Sequence, residues 1–162
     1  MEPGQATLIR RATSQDIAAV TALRALMFAA MGAEPEELAD GQWQAHVRRW
    51  LQLTLRNPQV NVTVAVVNGA TVACAIGEVV ERMPSPRNPA GQVGMLGSVA
   101  TFPEYRMTGL GQACIDDVMS WFVEQTDVTT VELNATPQGR RRYLSHGFVE
   151  TAYPQMRLKI PR

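Results

Sequence analysis

The sequence predicts a single α/β domain spanning residues 1–162, and three observations carry that prediction. Strand-like and helix-like hydrophobic periods alternate along the whole chain, with no internal repeat and no low-complexity stretch. Two β-branched runs in "NVTVAVVNGATVACAIGEVV" are joined by Asn68-Gly69, a pair that tolerates positive φ and marks a two-residue hairpin turn. At 162 residues and 46% hydrophobic composition, the chain can bury one substantial core and is too short for two ordinary domains.

The elements follow in chain order. "ATLIRRA", residues 6–12, reads as a short strand, and Ser14 reads as the N-cap of a helix. Ile17, Val20, Leu23, Met27 and Met31 then recur at helical spacing until Gly32. Pro35 suits a first helical turn and Glu36 and Glu37 suit the positive end of the helix dipole. Trp43, Val47, Trp50, Leu51 and Thr54 line one face before Asn57 and Pro58 end it, with a break expected at Asp40 and Gly41. After the hairpin, "MPSPRNPAG" at 83–91 is a loop expected to be mobile and to flank the working site. "QVGMLGSVATF" resumes as a strand, in which Gly94 and Gly97 mark either a bulge or close packing of another element. From Gly109 to about Gln125 a helix is expected, with Leu110, Cys114, Val118, Trp121 and Phe122 inward and Asp116, Asp117, Ser120 and Glu124 toward water. "VTTVELNA" reads as a strand, Pro137 opens a short helix, and "QMRLKI" returns to extended structure.

Fifteen basic and fifteen acidic side chains cancel, so composition predicts no attraction to nucleic acid or to an anionic membrane. No apolar run approaches the ~20 residues of a membrane span, and the start of the chain lacks a signal-peptide pattern. Cys74 and Cys114 form no CxxC, which predicts a reducing, cytoplasmic setting. His46 and His146 have no partners at metal-ligand spacing, so no metal is expected.

The stretch "FPEYRMTGLGQ", residues 102–112, is the most informative. Gly109 and Gly111 lie between a strand and a helix, where the first-turn amides have no intrahelical partner and the helix dipole adds positive charge. Arg106 adds a full charge, which makes the stretch a diphosphate cradle or, on its spacing alone, a tight turn. Neither the lysine and hydroxyl of a Walker A loop nor the third glycine of a dinucleotide fingerprint is present at the required spacing.

The stretch resembles motif A of the GNAT superfamily of N-acetyltransferases, [Q/R]xxGx[G/A] at a strand-to-helix junction, through Arg106, Gly109 and Gly111. "YLSHGF" at 143–148 resembles the family's Tyr-xxx-Gly-Phe segment, and "NATPQGRRRYLSHGF" with "MRL" resembles a bacterial subgroup's C-terminal signature. The likeness covers nearly the whole chain. It implies a mixed, mostly antiparallel central sheet, splayed at its centre, with helices on both faces. It implies that acetyl-CoA is the co-substrate, with no metal. Val99, Ala100 and Thr101 would pair with the pantetheine arm, and Met107, Thr108, Gly109, Leu110, Gly111 and Gln112 would cradle the pyrophosphate beside Arg106.

The same resemblance makes Tyr143 the general acid that protonates the departing thiolate. The strand before motif A carries no acid, so Glu78 is the first candidate base, while Glu34, Glu36 and Glu37 could instead order the amine from the turn between the first two helices. Asn134 is expected to contact CoA, with Thr136 as a further candidate; one of Arg140, Arg141 and Arg142 would meet the 3′-phosphate unless all three form a solvated face. The implied activity is transfer of acetyl to a primary amine of a small molecule, protein or peptide, by direct attack in a ternary complex. The alternative is a catalytically silent acyl-CoA-binding sensor. The acceptor would sit between the turn joining the first two helices, near Phe28, Met31 and Trp43, and the loop at 83–91, and the oligomeric state is open, a homodimer included.

Overall fold

The computed structural model describes residues 6–162. Five strands run in spatial order β1 (Thr7–Arg11), β2 (Val60–Val67), β3 (Ala70–Glu81), β4 (Gln92–Thr101) and β5 (Val131–Glu132). The first four are antiparallel neighbours, and β5 joins β4 in parallel. That last pairing requires a crossover, which α4 (Leu110–Gln125) supplies. The other helices are α1 (Ile17–Ala30), α2 (Pro35–Ala39), α3 (Gly41–Thr54) and α5 (Pro137–Ser145).

The hairpin turn behaves as its sequence predicts, with Asn68 at φ 49° and Gly69 at φ 83°, both in the left-handed region. Because side chains alternate across a strand, β2 and β3 feed two cores. Val62, Val64, Cys74 and Ile76 pack with Val20, Leu23 and Leu51 beneath α1 and α3. Ala65, Ala73 and Ala75 pack with Cys114, Val118, Trp121 and Phe122 of α4. Small residues on the second face let α4 lie close to the sheet. A β-carbon at Gly77 would come within 2.6 Å of Val118, and one at Gly94 within 2.8 Å of Phe122. Gly94 is therefore a packing glycine.

Several expectations are corrected. Thr13, not Ser14, caps the first turn: the Asp16 carboxylate accepts a hydrogen bond from the Thr13 N–H at 2.7 Å, which fixes the turn one residue earlier. Asp117 does not simply face water but accepts a hydrogen bond from the fully buried Thr63 hydroxyl at 2.6 Å, tying α4 to β2. The strand expected over "VTTVELNA" shrinks to two residues, because the chain diverges from β4 after Met95↔Glu132. "QMRLKI" forms no strand, and Met156, Leu158 and Ile160 are exposed. The helical break at Asp40 is present, where its side chain accepts from the Gln42 N–H at 2.8 Å. The 83–91 loop is knit by paired Ser85 and Asn88 amide bonds and by Asn88 Nδ2 donating to Gln92 O at 2.9 Å.

Asp16 anchors the start of α1. Arg10 donates to both its oxygens, at 2.7 and 3.1 Å, and the Thr71 hydroxyl donates to Oδ1. Burial alone would raise its pKa, but the hydrogen bonds from Arg10, Thr71 and Thr13 outweigh that and hold the carboxyl well below its usual range. A folded-state pKa below the unfolded value gives stability that is complete above the ordinary carboxylate range and lost as pH falls toward the depressed value. Asp16→Asn should therefore cost about 3 kcal/mol at neutral pH by urea denaturation, the deficit shrinking in acid.

Candidate active site

The site starts from an irregularity in β4. Cys74 pairs with Ala100 and Ile76 with Gly97, so Ser98 and Val99 together face the single residue Ala75. This is a β-bulge, and Ser98 takes a positive φ of 50° to form it. Gly97 sits beside it with open space around it, so of the two candidate glycines it is the one at the bulge. The bulge places Ala100 in the core beneath α1 while Val99 packs toward α4. On its other edge β4 meets β5 only at Gly94 and Met95, so beyond Met95 no described strand covers that edge through Thr101. Uncovered strand amides and carbonyls can accept an extended ligand as an added strand.

The chain leaves β4 through a short turn, Pro103–Tyr105, and reaches α4 through two left-handed residues, Met107 at φ 62° and Gly109 at φ 82°. Gly109 is the N-cap, and its carbonyl accepts the first bond of the helix from the Ala113 N–H at 2.9 Å. The amides of Leu110, Gly111 and Gln112 precede that bond and point out of the helix end. A β-carbon at Gly111 would lie 2.9 Å from Thr101 Oγ1, so this glycine brings the helix end against the end of β4. Thr108 bonds back to the Tyr105 carbonyl, and Arg106 Nε donates to Thr101 O at 3.3 Å. Arg106 is thus exposed at the turn while also bracing it.

On the α1 face, Glu78 follows Cys74 and Ile76 in the alternation of β3. Burial raises its pKa, and the positive charge of Arg24 partly opposes the rise. Arg24 lies on α1, bonded to the Ser98 hydroxyl of the bulge and stacked 5.0 Å over the Phe28 ring. Phe28 in turn meets Trp43 edge-on at 6.1 Å. Arg24 and Ser98 are absent from the sequence-based site. The available signal was a charge four residues after Val20 and four before Phe28, on the apolar side of the helix.

Tyr143 belongs to the opposite face, where it packs against the α4 core and meets Phe148 edge-on at 5.8 Å. It shares a cleft with Gln112, Ile115, Asp116 and Met119. Burial raises its pKa, with Arg142 opposing. Glu78 and Tyr143 thus lie on different faces of the sheet and can act on one substrate only across the gap between β4 and β5. Asn134 lines a second cleft with Ala30, Met31 and Gln138, between the end of α1 and the start of α5. Thr136 lines the same cleft and also caps α5, its hydroxyl accepting from the Gly139 N–H at 3.2 Å. Arg140 is engaged by Glu150 at 2.5 and 2.7 Å, leaving Arg141 and Arg142 exposed without that pairing. Glu34, Glu36 and Glu37 are exposed, and Glu37 accepts from the Glu34 N–H to cap α2. No helix among the described residues is long and apolar enough to cross a membrane.

A bulged strand, an uncovered edge and a glycine-opened helix are the features that the resemblance of the motifs leads one to expect. The model of the acetyltransferase (GNAT) family matches residues 22–148, and the chain belongs to that family. Its structure is similar to that of a GCN5-related N-acetyltransferase from Ralstonia eutropha JMP134, at 25% identity and TM-score 0.81 over 94% of this chain and 99% of that one. A predicted acetyltransferase from Clostridium acetobutylicum, solved with acetyl-CoA, has the same fold, at 22% identity and TM-score 0.81 over 94% and 96%. So has glucosamine-6-phosphate N-acetyltransferase from Arabidopsis thaliana, at 13% identity and TM-score 0.72 over 94% and 98%. No curated protein matches the chain at a significant level.

The conformation at Gly109 sets a stability test. At φ 82° a side chain meets its own backbone, so Gly109→Ala should cost about 1–2 kcal/mol, read as a lower urea midpoint with an unchanged slope.

Proposed function

We propose that this acetyltransferase uses acetyl-CoA as donor and transfers the acetyl group to a primary amine by direct attack within a ternary complex. The observation that carries the reading is the continuity of two sets of amides, those of Val99 and Thr101 on the uncovered edge of β4, flanking Ala100, and those of the first turn of α4. Spaced along one path, they suit the amides of pantetheine at one end and the linked phosphates at the other. Met107, Thr108, Gly109, Leu110, Gly111 and Gln112 would surround the diphosphate, with Arg106 beside it and Asn134 at the second cleft.

Chemistry would follow in one displacement. Glu78 removes a proton from the acceptor ammonium, the freed amine attacks the thioester carbon, and a strand amide of the bulge holds the developing oxyanion. The C–N bond forms, the C–S bond breaks, and Tyr143 donates its proton to the CoA thiolate. Burial favours the base assignment, since a raised carboxyl is a stronger base, and Tyr143, also raised by burial, is protonated and available as a donor at neutral pH. Direct transfer is favoured over an acyl-cysteine because burial pushes both Cys74 and Cys114 up to about 12, leaving them as thiols.

A silent acyl-CoA sensor is the second reading, favoured by the lack of any carboxylate on β4 itself. Calorimetry with acetyl-CoA, followed by thiol release across an amine panel, separates the two. Binding without release supports the sensor, and no heat from acetyl-CoA ends both readings. If the transferase reading holds, Tyr143→Phe lowers kcat about 10²-fold with little change in acetyl-CoA affinity. The acid limb of kcat/KM lies above the ordinary carboxylate range, the rate falling as pH drops through the raised Glu78 pKa, and Glu78→Gln removes that limb.

A further inference from the structure

We propose that the acceptor is a primary amine that also carries a carboxylate, an amino acid or a short amino acid analogue, and that Arg24 is the residue that selects it by binding that carboxylate. The inference rests on the transferase reading above and specifies its acceptor.

Arg24 differs from the ion-paired arginines, and from Arg11 and Arg106, whose guanidinium groups donate to backbone carbonyls. Arg10, Arg82 and Arg140 each pair with a carboxylate, Asp16, Glu132 and Glu150 respectively. Among the described residues, no carboxylate lies within 4.0 Å of the Arg24 guanidinium. Its direct contacts are one neutral hydroxyl, Ser98, and the face of one ring, Phe28, while the Glu78 carboxylate acts on it only through space. A guanidinium presents five donors, and among the described residues the Ser98 hydroxyl is its one hydrogen-bond partner. The side chain is half-buried and held on the bulge that would receive the thioester. Such a cation is a ready partner for a planar anion, which it can bind through two parallel hydrogen bonds.

The surrounding groups narrow the ligand. Glu78, on the same face of the sheet, would take the amine, so the site offers a negative group and a positive group to one molecule. That is the complement of a zwitterion. A single guanidinium aided by one hydroxyl matches a monoanion, whereas a phosphate dianion would leave one charge uncompensated in a half-buried place. Phe28 and Trp43 form an aromatic wall beside Arg24, suited to the short carbon chain between the two charged ends.

The test uses acceptors that differ only in the carboxylate: glycine against methylamine, β-alanine against ethylamine, and 4-aminobutyrate against propylamine, with O-phosphoethanolamine as the phosphate arm. The expected result is a kcat/KM about 10- to 100-fold higher for the carboxylate member of at least one pair, and collapse of that ratio toward one in Arg24→Gln. A uniform loss across all amines in Arg24→Gln would show that Arg24 only props the Ser98 bulge, and would overturn the proposal. So would the absence of any preference, or a stronger preference for the phosphate compound. Titration of the CoA-loaded protein with the same compounds gives the ratio as affinities, so the answer does not depend on turnover. Protein that binds acetyl-CoA yet shows no Arg24-dependent carboxylate preference refutes this assignment alone, whereas failure to bind acetyl-CoA refutes the transferase reading beneath it.

Discussion

One backbone feature organises the site: the extra residue in β4 at Ser98 and Val99 against Ala75. A regular strand would keep every amide in the ladder and every side chain in strict alternation. The bulge breaks both patterns at one point. It turns Ser98 toward α1, where Arg24 holds its hydroxyl, and the strand re-enters the ladder at Ala100. Its position matters because β5 has already left β4 at Met95, so the irregular segment also has a free outer edge.

The two helical layers keep that edge open from opposite sides. On one, α4 is drawn tightly onto the sheet by residues without bulk, Gly77 and Gly94, and by the buried hydrogen bond from Thr63 to Asp117. Its N-terminus is thereby fixed at the end of β4, with Gly111 against Thr101. On the other, α1 is fixed by Asp16 and its bonds to Arg10, Thr13 and Thr71, which set the height at which Arg24 and Phe28 stand over the bulge. Structural bonds far from the opening thus determine which side chains line it.

A division of labour between the two faces follows. The α4 face holds the glycine turn and Tyr143, groups suited to the cofactor and its leaving thiol. The α1 face holds Glu78, Arg24, Phe28 and Trp43, groups suited to an incoming polar molecule. The family match spans residues 22–148 and so takes in both sets, but the glycine turn of the first set is one continuous stretch of sequence. The second set is dispersed over α1, α3 and β3, which gives the acceptor side more freedom to differ between relatives that share the fold.

The amino-acid sequence by itself determined the local features whose cause is local. The Asn68-Gly69 turn, the break at Asp40, the glycines opening α4 and the inward face of that helix all arise from backbone freedom, capping and periodicity within a few residues. It also made the motif around Arg106, Gly109 and Gly111 readable, because a helix-end anion site is built from consecutive residues. Tertiary structure alone decided what depends on pairing. The two-residue length of β5 follows from its divergence from β4, and the unpaired tail at 155–160 from the lack of a neighbouring strand, although both segments carry strand-like sequence. Asp117 turned inward because Thr63 lies opposite it, 54 residues away. Arg24 joined the site for the same reason: its partner Ser98 is 74 residues along the chain, and contacts at that range are set by how sheet and helices pack.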